Sequence, residues 1–200
     1  MKKCVALSIF LFVVICGGVF AQSRNPVTWA MAVYKYSGGS NYQDYSPQRS
    51  ISMVSGDEFY IYVRADSPGY FYIVQENTDR TSSFLFSGPL AAGKDIDILE
   101  DDGDFVVPAG TGVLRFHIVV SSSPQQSLER YNNQSSGGRL SGALNTALND
   151  EITRINRNIS TVAEAPEKPV TMGGGVRGKA PTAYQYEGQD TYVKTITIRH

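Results

Sequence analysis

Few side chains in this 200-residue chain are of types that could do chemistry. It holds two histidines, His117 and His200, and two cysteines, Cys4 and Cys16. A hydrolytic triad needs a histidine, a nucleophile and an orienting carboxylate. Serines are plentiful, but none stands in a G-x-S-x-G elbow, and His117 falls inside an alternating strand pattern. That assigns His117 to a solvent-facing position or to a satisfied polar pairing. The run Asp95, Asp97, Glu100, Asp101, Asp102 and Asp104 offers oxygen ligands of the kind calcium takes. Its spacing departs from the EF-hand loop, and a charge run is usually a solvated surface, so it is a weak candidate.

The stretch Gly173-Gly-Gly175-Val-Arg-Gly178-Lys179-Ala180 matches G-x-G-x-x-G and seven positions of the P-loop pattern. Phosphate binding there needs a strand before and a helix after, so that backbone amides point at the anion. Pro169 and Pro181 bracket the segment instead, and Ala180 replaces the magnesium-holding hydroxyl. No cofactor is expected. Two Asn-x-Ser triplets, at Asn133 and Asn158, matter only in a eukaryotic secretory pathway. Twelve tyrosines remain, and Tyr60, Tyr62 and Tyr72 could align on an outward face to stack on sugars or on a protein partner. The same residues also suit a half-buried pleated surface.

These residues are positioned by strands. Phe59–Ala65, Tyr70–Gln75, Ser83–Phe86, Asp95–Leu99 and Val113–Ser121 are rich in Val, Ile, Phe and Tyr and separated by turn formers such as Pro68-Gly69 and Pro108-Ala-Gly110. Phe59, Ile61 and Val63 alternate with Tyr60, Tyr62 and Arg64, and Leu114, Phe116, Ile118 and Val120 repeat the pattern. Val27–Tyr36 is apolar on both sides, which places it inside a sheet. The period changes to three and four at Leu140, Ala143, Leu144, Ala147, Leu148, Ile152, Ile155, Ile159 and Val162. That is one apolar stripe on a helix over 139–162, with Asn145 and Asn149 on its wet side. The stripe either covers a sheet edge or open end of the sandwich, or docks a partner. A Pro/Gly-rich loop spans 163–182 and a closing strand 190–199. The predicted fold is mainly β, an antiparallel β-sandwich with one amphipathic helix inserted before the C-terminal strand.

The amino terminus reads as an address. Lys2 and Lys3, an apolar run from Val5 to Ile15, and Val19-Phe20-Ala21 before Gln22 have the order of a secretory signal spanning 1–21, cleaved between Ala21 and Gln22. About a dozen apolar residues fall short of the roughly 20 a bilayer needs, so no membrane span is expected after cleavage. The alternative is a lipoprotein anchored at Cys16, although Ile15 stands where that signal prefers Gly, Ala or Ser. Cleavage at Ala21 removes both cysteines and leaves 22–200 as a single domain without disulfide or thiolate metal site. Removing Lys2 and Lys3 leaves 16 basic against 19 acidic residues, a formal charge of −3. With no basic cluster, there is no footprint for nucleic acid.

In order along 51–128, Ser55-Gly-Asp57, Phe59-Tyr-Ile-Tyr-Val63, Pro68-Gly-Tyr-Phe-Tyr-Ile73, Phe84-Leu-Phe86, Leu90-Ala-Ala-Gly93, Pro108-Ala-Gly110 and Leu114-Arg-Phe-His-Ile118 resemble the bacterial family catalogued as domain of unknown function 4384. The sequence departs from that pattern at Ser87, where the family often has Pro, and in carrying the long helix. The resemblance implies a β-rich accessory module of bacterial envelope or signalling proteins, and brings no catalytic residues. The combined expectation is an exported, non-enzymatic cell-envelope protein, periplasmic or extracellular, that binds or scaffolds another envelope protein or a glycan. The alternative is a carbohydrate- or peptidoglycan-associated module working through exposed tyrosines.

Overall fold

The computed structural model describes residues 26–37, 42–47, 50–98, 105–159, 168–171 and 182–200. In chain order these form β1 (Pro26–Tyr36), β2 (Tyr42–Tyr45), β3 (Ile51–Ser52), β4 (Glu58–Ala65), β5 (Gly69–Glu76) and β6 (Ser82–Leu90). Then come β7 (Asp95–Ile98), β8 (Phe105–Val106), β9 (Val113–Ser121), α1 (Gln126–Gln134), β10 (Arg139–Leu140) and α2 (Gly142–Asn158). The chain closes with β11 (Lys168–Thr171), β12 (Thr182–Gln189) and β13 (Thr191–Arg199). The expected signal segment 1–21, with Cys16 and Ala21, and the following Gln22 lie outside the described residues, as do 172–181 with the glycine-rich motif. No helix among the described residues is long and apolar enough to cross a membrane.

Two sheets face each other. One runs β11-β12-β1-β4-β7, with β2 also on β1 and β8 on β4; the other runs β10-β6-β5-β9-β13-β3. The pairings are antiparallel except β13 with β3. The period-two residues meet between the sheets as expected: Phe59, Ile61 and Val63 from β4, Phe71 and Ile73 from β5, and Phe116 and Ile118 from β9 are fully buried. Trp29 stacks on Tyr186 at 4.7 Å and meets Phe71 edge-on at 6.5 Å, while Phe59, Phe105 and Phe116 form a second aromatic group. Each such ring carries a large apolar area into the interior, in the offset and T-shaped geometries that ring quadrupoles favour.

The second sheet is buried on its outward face too. Tyr72 and Val74 of β5 and Val119 of β9 pack with Leu128 of α1, Leu140 of β10, and Leu148, Ile152 and Ile155 of α2. The helical layer therefore covers a sheet face, not an edge or an open end. A strand apolar on both sides requires this arrangement, because each face needs its own apolar cover. Among the described residues two helices stand where one was expected, since QSLERYNNQ in α1 has a single buried apolar residue, Leu128, and so no readable stripe. The second helix ends at 158 and begins at 142, shorter than 139–162. Its buried face is Asn145, Leu148, Ile152 and Ile155, a 3-4-3 spacing. That face leaves Leu144 41% exposed and buries Asn145, which polarity had placed in water.

Part of the expected 163–182 loop is strand: β11 pairs with β12, and β12 continues onto β1 from Met31↔Tyr184 to Pro26↔Gln189. The chain then crosses between sheets through Asp190, whose φ is +61°. Gly188 makes the crossing possible, since a Cβ there would lie 2.8 Å from Tyr192 Cβ.

Candidate functional site

Below the helical layer, the outward face of the second sheet turns polar. Register sets Glu76 of β5 opposite Arg115 of β9, and His117 of β9 opposite Thr195 of β13. Arg115 Nη1 lies 3.1 Å from Glu76 Oε2, His117 Nε2 lies 3.6 Å from the same oxygen, and His117 Nδ1 is 3.0 Å from Thr195 Oγ1. The imidazole of His117 foremost, then Arg115, holds the Glu76 carboxyl below its ordinary range against the desolvation that would raise it. A hydroxyl, an imidazole and a carboxylate thus stand in a row. The His117–Glu76 separation exceeds a hydrogen bond, however, and the carboxylate oxygen is shared with Arg115. The cleft beside the row is lined by Glu76 but not by His117 or Thr195.

That cleft, about 520 Å³, lies between the β5–β6 turn and the first turns of α2, with Glu76, Asp79, Arg80, Asn145, Asn149 and Asp150 in its wall. The turn is tight: Asn77 N donates to Thr81 O at 2.8 Å, Arg80 N donates to Asn77 O at 3.1 Å, and Arg80 has φ +60°. Asp79 accepts from the Thr81 hydroxyl at 2.6 Å and from Arg139 Nη2 at 2.7 Å, and is held below its usual range, first by Thr81. Helix and turn are fastened by Asn145 Nδ2, which donates to Arg80 O at 2.9 Å. The carbonyl oxygen of Asn145, a residue only 5% exposed, has no partner among the described residues, nor does Asn149 Oδ1 one helical turn on. Buried acceptors are normally paired; both of these oxygens are closed off from solvent and so lie behind the cleft wall, not open to it.

A second junction joins α1 to the sheet. Tyr72 Oη accepts from Gln125 N at 2.8 Å and donates to Glu129 Oε1 at 3.1 Å. Burial, with Glu129 beside it, pushes the Tyr72 phenol up to about 12. At the opposite end of the sheet, Pro26, Pro68, Tyr70, Pro89 and Leu90 line an open, mostly apolar cleft of about 730 Å³.

The expected tyrosine face does not form. Tyr60 and Tyr62 lie on β4 of the first sheet, 4% and 3% exposed, among Ala30, Ala32, Tyr34 and Ala183. Tyr72 is in the other sheet, fully buried beneath the helices. Their outward alternation was legible, but the sheet assignment and the cover were not. Of the calcium candidates, Asp95 accepts a hydrogen bond from Tyr62 Oη at 2.7 Å, and Asp97 pairs opposite Tyr62 in β7. Asp101, Asp102 and Asp104, like Glu100, lie outside the described residues. Among those described, no group of three or more His, Cys, Asp or Glu converges as a metal set. His200 Nδ1 lies 3.2 Å from Gly110 O, far along the chain from His117.

Sequence reasoning did not single out Glu76 or Arg115, and it placed Asn145 and Asn149 on the wet side of the helix. The signal available was polar residues at positions whose strand or helix period points them toward a partner element. No protein-family model matches the chain, and no curated protein or solved structure shows significant similarity to it.

Proposed function

We propose that this is an exported, non-enzymatic module of a bacterial cell envelope that binds or scaffolds another protein. One observation carries the binding reading: a cleft of about 520 Å³ walled by Glu76, Asp79, Arg80, Asn145 and Asn149 lies where the β5–β6 turn meets α2, and His117 is not part of its wall. A general base must reach the group it deprotonates, and His117 does not line the cleft. The leader-like 1–21 and the resemblance of 51–128 to the domain of unknown function 4384 support the envelope setting. The glycan alternative depended on exposed tyrosines, and with Tyr60, Tyr62 and Tyr72 buried the proposed partner is a protein. Mass spectrometry of the protein from its native host tests the setting. An unmodified terminus near Gln22 is expected; a lipid-modified Cys16 establishes a lipoprotein instead, and an intact Met1 overturns export. Chemical crosslinking in envelope fractions tests the module, with a stoichiometric protein partner expected.

A further inference from the structure

We propose that the open edge of β6, from Ser87 to Leu90, takes an extended, uncharged segment of a protein partner as an added strand, with an apolar side chain of that segment in the cleft at Pro89 and Leu90. This surface lies at the other end of the sheet from the cleft beside α2, and the inference holds whether or not that cleft is occupied.

β10 covers β6 only at its start: Arg139 and Leu140 pair with Ser83 and Ser82, and Phe84 N donates to Gly138 O at 2.9 Å. Past Phe84, no strand among the described residues lies on that side. The directions of the remaining backbone groups follow from register. Phe84 turns its N–H away from β5, so Val74↔Phe84 is a non-hydrogen-bonded pair; after the bulge Phe86 exchanges bonds with Ile73, and Ser87, opposite Tyr72, turns its N–H and C=O outward. Pro89 faces the same way, which costs β5 nothing because proline has no N–H to give. Ser87 N–H, Ser87 C=O and Pro89 C=O are left for an incoming backbone.

Exposed edges are usually blunted by charge, as Asp95 does in β7 and Arg139 in β10. Ser82–Leu90 carries no charged residue, and Leu85, Phe86 and Leu90 are only partly buried against the core. The bulge and Pro89 shorten the usable run, but the edge leads directly into the apolar cleft of about 730 Å³. Pro89 and Leu90 belong to both, and no charged residue lines that cleft. Unpaired backbone groups specify an extended chain as the occupant, and the adjoining cleft specifies an apolar side chain, the two parts of recognition by strand addition. A second copy of this chain fits less well. In a two-fold pairing of β6 on β6 about Ser87, Pro89 stands opposite Leu85 on both sides, so its missing N–H is met twice.

The test is ¹H–¹⁵N NMR of the mature chain, reading the backbone amide of Ser87. The probes are the capped peptide acetyl-Thr-Val-Thr-Leu-Thr amide and its fully N-methylated form, which keeps the side chains and removes the backbone donors. In the free protein the Ser87 amide should exchange as an unpaired amide does. With the first peptide it should shift saturably, with a Kd of about 1 mM or tighter, and exchange at least about tenfold more slowly; the N-methylated form should do neither. Ser87→Pro, which deletes an outward N–H and no bond to β5, should abolish binding. Ala91→Asp, at an exposed position on the cleft wall, should weaken it severalfold while leaving the thermal melt unchanged. The proposal is overturned if the peptide does not saturate by about 10 mM, if the N-methylated form binds equally, or if Ser87 is already protected in the free chain. Protection that rises with protein concentration also overturns it, by assigning the edge to a second copy. If the peptide fails while a crosslinked envelope partner is still captured, the edge assignment falls and the module reading stands.

Discussion

Replacing Tyr72 by Phe removes one hydroxyl from the junction of sheet and helical layer while leaving the ring in place. Two bonds go: the donation to the Glu129 carboxylate at 3.1 Å and the acceptance from Gln125 N–H at 2.8 Å. A hydrogen bond to a charged group contributes about 1.5–3 kcal/mol, and a buried N–H left unpaired costs about 1–3 kcal/mol. Gln125 and Glu129 are only half-buried, so water recovers part of this, and the expected net loss is about 2 kcal/mol. For a domain of this size that corresponds to a fall in Tm of roughly 4–8 °C. Urea unfolding followed by the fluorescence of Trp29, buried in the core, gives the free energy directly. In a double-mutant cycle with Glu129→Gln the two changes should be non-additive by at least about 0.5 kcal/mol. A loss below about 0.5 kcal/mol for Tyr72→Phe, with additive behaviour, would refute the claim that α1 is fastened to the sheet through this hydroxyl.

Two further outcomes follow from the same geometry. Leu148→Ala, at a fully buried position, should cost about 2–5 kcal/mol, while Leu144→Ala, at a 41% exposed one, should stay within about 0.5 kcal/mol; equal effects in thermal melts would mean the wrong helix face has been assigned to the sheet. Because the folded Glu76 carboxyl is held below the ordinary glutamate value of 4.5, its pairing stabilises fully above that pH and is lost as pH falls through the folded value. The stability gap between the native chain and Glu76→Gln should therefore be largest near neutrality and close on acidification below pH 4.5, which urea melts across pH will show; a gap that widens in acid contradicts the pairing.

The sequence carried the sheets further than it carried the site. In β4 and β9 an apolar residue stands at every second position, Phe59, Ile61, Val63 and Leu114, Phe116, Ile118, Val120, so their inward faces were readable without any partner. Tyr70-Phe-Tyr-Ile-Val74 is apolar on both faces, which signals double burial but not that helices supply the second cover. β12 escaped because Ala183-Tyr-Gln-Tyr-Glu lacks β-branched residues, although Tyr184 and Tyr186 keep the inward period. Asn145 was assigned to water on polarity alone; its partner, the Arg80 carbonyl, lies 65 positions away, and only the folded turn brings them together. The His117–Thr195 contact spans 78 positions and depends on the register of β9 with β13. Local period cannot encode such pairings, so the polar row and the cleft emerge only once strand order is known.

The two helices form a folded layer of the domain and build the cleft, and native-state hydrogen exchange tests this most directly. The α2 amides of Leu148 and Ile152 should exchange only through the opening that also releases Val74 in β5 and Val119 in β9, with matching free energies. If those helix amides exchange more than about a hundredfold faster than the two strands, α2 is a loosely attached appendage and the cleft at Asn145 is not a built site.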